Sequence, residues 1–160
     1  MMNFETPPYR PPSEAYSLLV RATRNCSWNR CTFCYGVHWN RDKLELRSVN
    51  EIKHDILAMK TLADETTDWA EKNGYGDRVG EVALSNGLLW LTNEGVKTAF
   101  IGDSDSLIMK AADLVEVITF LYEAFPSLER VTSYARAKTV LRKTPFELKQ
   151  LNDAGLTRLH

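Results

Sequence analysis

Along this chain the spacing of apolar residues switches repeatedly between the period of a strand and that of a helix. Ser17 to Thr23 is a short, largely apolar run suited to a buried strand. Ser48 and Glu51 then form a capping-box pattern, and Ile52, Ile56, Met59, Ala63 and Ala70 recur at helical spacing until Asn73-Gly74 supplies a stop. A second helix is predicted from about Asp77 to Thr92, carrying Val82, Leu84, Leu88, Leu89 and Trp90, interrupted at Gly87 and closed by Asn93-Glu94-Gly95.

Val96 to Ile101 reads as a strand ending at Gly102, and Asp103 to Ser106 has the character of a turn. Leu114, Val115, Ile118, Leu121 and Tyr122 make a helical stripe halted before Pro126, and Arg130 to Tyr134 is the next strand. Thr144-Pro145-Phe146-Glu147 starts a further helix with an N-cap, a proline in the first turn and a capping glutamate; Gly155 closes it. Leu156 to His160 begins a fourth strand. Residues 1–16, with Pro7-Pro8 and Pro11-Pro12, cannot sustain a helix and read as an extended lead-in.

Strands alternating with helices predict an α/β fold with parallel strands and helical crossovers. A doubly wound sheet and a segment of a β/α barrel both satisfy this order. In either, ligand chemistry belongs at the carboxyl ends of the strands. A fourth strand at the chain's end is expected to leave an unpaired sheet edge prone to association.

Composition adds limits. A net charge of −1 leaves no global positive field for collecting phosphate backbones or anionic lipid, and no apolar run reaches the roughly 18 residues of a membrane helix. Neither nucleic acid nor a membrane is therefore an expected partner, and the chain reads as cytoplasmic. The 3 cysteines all fall between positions 26 and 34. An odd, clustered set of thiols is not a disulfide framework; in a reducing compartment it reads as metal ligation or catalysis.

Cys26, Cys31 and Cys34 have C-x4-C-x2-C spacing just past the first strand. Such a loop suits zinc or an iron-sulfur centre, and three thiolates on a four-iron cube leave one iron without a protein ligand. His38 lies four residues after Cys34 and would complete a Cys3His zinc site, making the chain a zinc-stabilised binding module. An iron-sulfur protein that only transfers electrons is a third reading.

Asn25 to Cys34 resembles the cluster loop of the radical S-adenosylmethionine superfamily. The likeness includes the aromatic Phe33 before the last cysteine, Arg10 to Ala15 upstream and Glu45 to Ser48 downstream. These segments are similar to a branch related to oxygen-independent coproporphyrinogen oxidase-like proteins. Two departures are the x4 spacing, where x3 is commonest, and Asn25, where glycine is frequent; asparagine tolerates a left-handed backbone.

The resemblance implies that residues 17–160 are the N-terminal portion of a partial (β/α)6 TIM-like barrel, truncated in its fourth strand. It implies an oxidoreductase-type enzyme with a [4Fe-4S] cluster on Cys26, Cys31 and Cys34. Reductive cleavage of S-adenosylmethionine would yield methionine and a 5'-deoxyadenosyl radical that takes a hydrogen atom from an unidentified small-molecule or peptide substrate. The reductant would be a protein such as flavodoxin or ferredoxin. Gly102, Asp103, Ser104 and Asp105 stand where the family contacts the cofactor's amino group, although a solvated acidic turn has the same composition. Ser133, Tyr134 and Arg136 are similarly placed, with Arg136 the expected partner of the cofactor's carboxylate or a surface arginine. Phe33 and Tyr35 would lie near the adenine or keep water from the cluster.

Overall fold

The computed structural model describes residues 4–34 and 43–160. Tyr35 and His38 lie outside the described residues. The main sheet contains β1 (Leu18–Arg21), β4 (Thr98–Gly102), β5 (Arg130–Ser133) and β6 (Leu156–Leu159), all parallel and adjacent in chain order. A second, two-stranded antiparallel sheet joins β2 (Thr23–Arg24) to β3 (Glu45–Leu46). The fold is α/β, as the alternation of periods requires.

Successive strand residues point to opposite faces, and the two faces here are unlike. Leu18, Val20, Ala99, Ile101, Val131 and Leu156 enter one hydrophobic core with the helices. Three helices supply most of its other side: α1 (Val49–Lys72) through Ile52, Ile56 and Met59, α3 (Ala111–Ala124) through Leu114, Ile118 and Leu121, and, after the single turn α4 (Ala137–Val140), α5 (Pro145–Asp153) through Leu151. Phe100, though wholly buried, stands outside that cluster on the opposite face. There the sheet carries Thr98, Thr132 and Arg130 and is crossed by the proline-rich lead-in, whose Pro7 approaches Gly102 so closely that a side chain on Gly102 would meet it.

Both capping boxes form. Ser48 Oγ accepts the Glu51 amide at 3.2 Å while the Glu51 carboxylate accepts the Ser48 amide at 2.9 Å, and Thr144 and Glu147 do the same for α5. The second predicted helix is shorter than its apolar spacing suggested. A 3-10 turn at Gly76–Arg78 leads into α2 (Val79–Ser85), which stops where Gly87 takes φ +77° and the Leu88 amide donates back to the Ala83 carbonyl at 2.8 Å. Leu88, Leu89 and Trp90 therefore lie in a loop. Among the described residues no helix is long and apolar enough to cross a membrane.

Candidate functional site

The cysteine segment leaves the sheet at the carboxyl end of β1. Its stem is closed by the β2–β3 pairing of Thr23 with Leu46 and Arg24 with Glu45. Sequence periodicity missed these two-residue strands, which are too short to show alternation. Arg24 ties the stem together by ion pairs to Glu5, Glu45 and Glu51. The hydrogen bond from Arg24 holds Glu5 below the usual carboxylate range against the opposing effect of burial, and the charges of Arg47 and Arg21 add to it. Asn25 adopts φ +66°, the left-handed turn that asparagine accepts, and its side-chain Nδ2 donates to the Lys43 carbonyl at 3.1 Å.

The loop after β4 meets the same stem. Arg21 donates to Asp103 through Nε at 3.0 Å and Nη2 at 2.8 Å, and the Thr23 hydroxyl donates to the Asp103 carbonyl at 2.8 Å. Ser104 Oγ donates to the Asn25 carbonyl at 2.9 Å. Asp103 and Ser104 themselves take positive φ, +69° and +28°, so this turn is bent tightly against the base of the cysteine loop.

From the end of β5, Arg136 reaches the loop itself. Its guanidinium carbon lies 5.0 Å from the Trp28 ring centre and Nη1 donates to Ser27 Oγ at 3.3 Å; Arg30 covers the same ring at 5.7 Å. Asp105, fully buried, accepts the Arg136 amide at 3.1 Å and the Thr139 hydroxyl at 2.5 Å. Ser27 and Trp28 were not singled out by the sequence; their position inside the cysteine motif was the available signal.

The three strand-end segments singled out in the sequence are thus gathered on one edge. Ser133 is buried and its hydroxyl donates to the Ile101 and Tyr134 carbonyls, while Tyr134 packs edge-on against Phe100 with ring centres 4.8 Å apart. The side chains of Asp103, Ser104, Asp105 and Ser133 are all engaged within the protein. Phe33 is 89% exposed.

Cys26, Cys31 and Cys34 are free thiols, each partly buried. The Trp28 amide donates to Cys26 Sγ at 3.4 Å, a contact of the kind that stabilises a thiolate ligand. In kind, this donor set fits an iron-sulfur cluster: three soft donors on one short loop. Among the described residues, no three His, Cys, Asp or Glu side chains converge to hold a metal ion.

Fold and site define an α/β protein with four parallel strands whose polar loops and thiols share the carboxyl edge of the sheet. No protein-family model, curated protein or solved structure matches the chain.

Proposed function

We propose that this chain is the cluster-binding part of a radical S-adenosylmethionine enzyme, with Cys26, Cys31 and Cys34 as ligands to a [4Fe-4S] cluster. The observation that carries the reading is the placement of three free cysteines in one loop, its stem clamped at the carboxyl edge of a parallel sheet. Strand order following chain order, with three helices packed into one core against one face, supports a barrel segment over a doubly wound sheet.

Binding would require the loop to draw its thiolates together around the metal. The β2–β3 stem fixes where that closure happens, while the Trp28 amide would brace Cys26. When bound, the cluster would supply the electron that cleaves S-adenosylmethionine. Arg136, already stacked on Trp28, sits between the cysteine loop and the end of β5, a position suited to the cofactor's carboxylate. Backbone groups of the 102–105 turn remain the contacts to its amino group in this reading, because the side chains there are spent on the fold. A reducing, cytoplasmic compartment and a flavodoxin- or ferredoxin-like donor follow from a low-potential thiolate cluster.

Anaerobic reconstitution with iron and sulfide tests it. Expected are broad absorption near about 400 nm, iron and sulfide in the cluster ratio, and 5'-deoxyadenosine release on reduction with S-adenosylmethionine. Cys31→Ser is expected to lose the cluster. Exclusive uptake of redox-silent zinc sinks the reading in favour of a Cys3His module; a cluster without 5'-deoxyadenosine release favours electron transfer.

A further inference from the structure

Beside the stem of the cysteine loop, the first two turns of α1 and the start of the lead-in enclose a cleft of about 410 Å³. Arg47 lines it, although the residue is only 4% exposed. One side of its guanidinium is spent on the fold: Nη1 donates to the Arg21 carbonyl at 2.9 Å and to Asp55 Oδ2 at 2.6 Å. On the other side Nε is buried without a hydrogen-bond partner. Nη2, next to it, stands 3.8 Å from Glu5 Oε1, beyond hydrogen-bond reach, and makes no hydrogen bond among the described residues. A buried donor without an acceptor is costly, and buried polar groups are rarely left so. The Nε and Nη2 hydrogens lie parallel and form the edge with which arginine grips a carboxylate. Arg21 uses the same edge on Asp103 in this chain.

The acids around the cleft are already matched. Arg21 and Arg24 hold Glu5, and Arg24 also holds Glu51, which closes the capping box of α1. Asp55 Oδ2 accepts the Glu5 amide at 3.1 Å in addition to Arg47. A cation entering the cleft would compete with guanidiniums for every acid, whereas an acceptor oxygen finds the unused edge of Arg47. Asn50 and His54, four residues apart on one face of α1, line the same cleft. Both are exposed, and neither side chain has a hydrogen bond among the described residues, so each has a donor to offer. Half-buried Phe4 adds an apolar wall. Carboxylates outnumber guanidiniums in the lining, so a dianion is repelled more strongly than a monoanion.

We propose that this cleft binds a small monocarboxylic acid with an apolar body. Its carboxylate is held at two points by Nη2 and the buried Nε of Arg47, Asn50 and His54 donate to it from α1, and its carbon skeleton lies against Phe4. The ligand thereby supplies the acceptor that the fold withholds from Nε. The site uses none of the cysteines and does not rest on the cluster reading.

The test uses the full chain labelled with 15N and without added metal. The Arg47 Nε–H signal, protected from solvent exchange by burial, is observed in proton–nitrogen spectra and assigned through bonds to the Arg47 side-chain carbons. Benzoate is the probe, titrated at fixed ionic strength, with acetate, inorganic phosphate and chloride as comparisons. Expected is an Nε–H resonance that moves saturably as benzoate is added. Asn50→Ala and His54→Ala, both at exposed positions that the core does not need, are each expected to weaken benzoate about fivefold, the loss of one hydrogen bond. Acetate, which leaves the apolar wall uncovered, is expected to bind roughly tenfold more weakly than benzoate, and phosphate more weakly still. The proposal is overturned by an Nε–H signal that saturating benzoate leaves in place or that chloride moves equally. Acetate or phosphate binding as tightly as benzoate overturns it too, as does a benzoate affinity that neither Asn50→Ala nor His54→Ala changes.

Discussion

The carboxylate of Asp105 holds Arg136 by its backbone, at 3.1 Å from the amide, and Arg136 in turn lies 5.0 Å over the Trp28 ring. A fully buried acid thereby fixes the loop after β5 against the cysteine loop. The same carboxylate accepts the buried Thr139 hydroxyl at 2.5 Å. Asp105→Ala strands both donors and is expected to cost about 2–3 kcal/mol, read from the urea midpoint.

Removing the clamp without touching the core isolates its effect on the loop. Arg136→Ala is expected to leave the unfolding midpoint nearly unchanged and to speed reaction of the cysteines with a thiol reagent in metal-free protein by a few-fold. Unaltered thiol kinetics would show that the stack on Trp28 does not restrain the loop.

Arg47 and Asp55 form an ion pair at 2.6 Å with side chains only 3% and 5% exposed. Arg47 Nη1 also donates to the Arg21 carbonyl at 2.9 Å, so the pair ties α1 to the end of β1. Losing Asp55 leaves the buried Arg47 guanidinium with only the longer contact to Glu5 at 3.8 Å as a charge partner: Asp55→Ala is expected to cost about 3–5 kcal/mol in chemical denaturation. The double change to apolar residues of similar size is expected to cost less than that single one.

At the start of α1, hydrogen bonds from the Ser48 amide and hydroxyl, with Arg24 adding to them, hold the Glu51 carboxyl down to about 2 from an ordinary 4.5, against the effect of burial. A depressed carboxyl stabilises the fold at pH values above its unfolded pKa, and that contribution is lost as pH falls from about 4.5 to about 2. Ser48→Ala is expected to cost about 1 kcal/mol at neutral pH and to flatten this part of the acid-unfolding curve. An identical slope in variant and wild type would refute the assignment.

Gly155 takes φ +112°, and a side chain there would run into the Tyr122 ring, whose hydroxyl donates to the Gly155 carbonyl at 3.2 Å. Gly155→Ala is expected to destabilise by about 2 kcal/mol or more, through backbone strain and the displaced ring together. Calorimetry of the variant checks it.

The residues whose chemistry is local were legible in the sequence. Ser48 and Glu51, and Thr144 and Glu147, form the capping boxes that their spacing announced, because the bonds span three residues and need nothing from the rest of the chain. Asn25 takes the left-handed turn expected of it. The second helix was overextended, since Leu88, Leu89 and Trp90 keep an apolar spacing that Gly87 prevents from being helical. The side chains of Asp103 and Asp105 looked like free acids of a turn, but their partners, Arg21 and the Arg136 amide, lie far away in sequence.

By itself the sequence determined the alternation of strand and helix, the helix ends and the grouping of three thiols, all of which depend on contacts within a few residues. Only the tertiary structure decided what long-range packing controls: which acids are spent as structural partners, that the stem of the cysteine loop closes through β2 and β3, and that the Glu5 amide meets Asp55. Those pairings join residues far apart along the chain, and no periodicity records them, because each depends on where several strands bring their ends together.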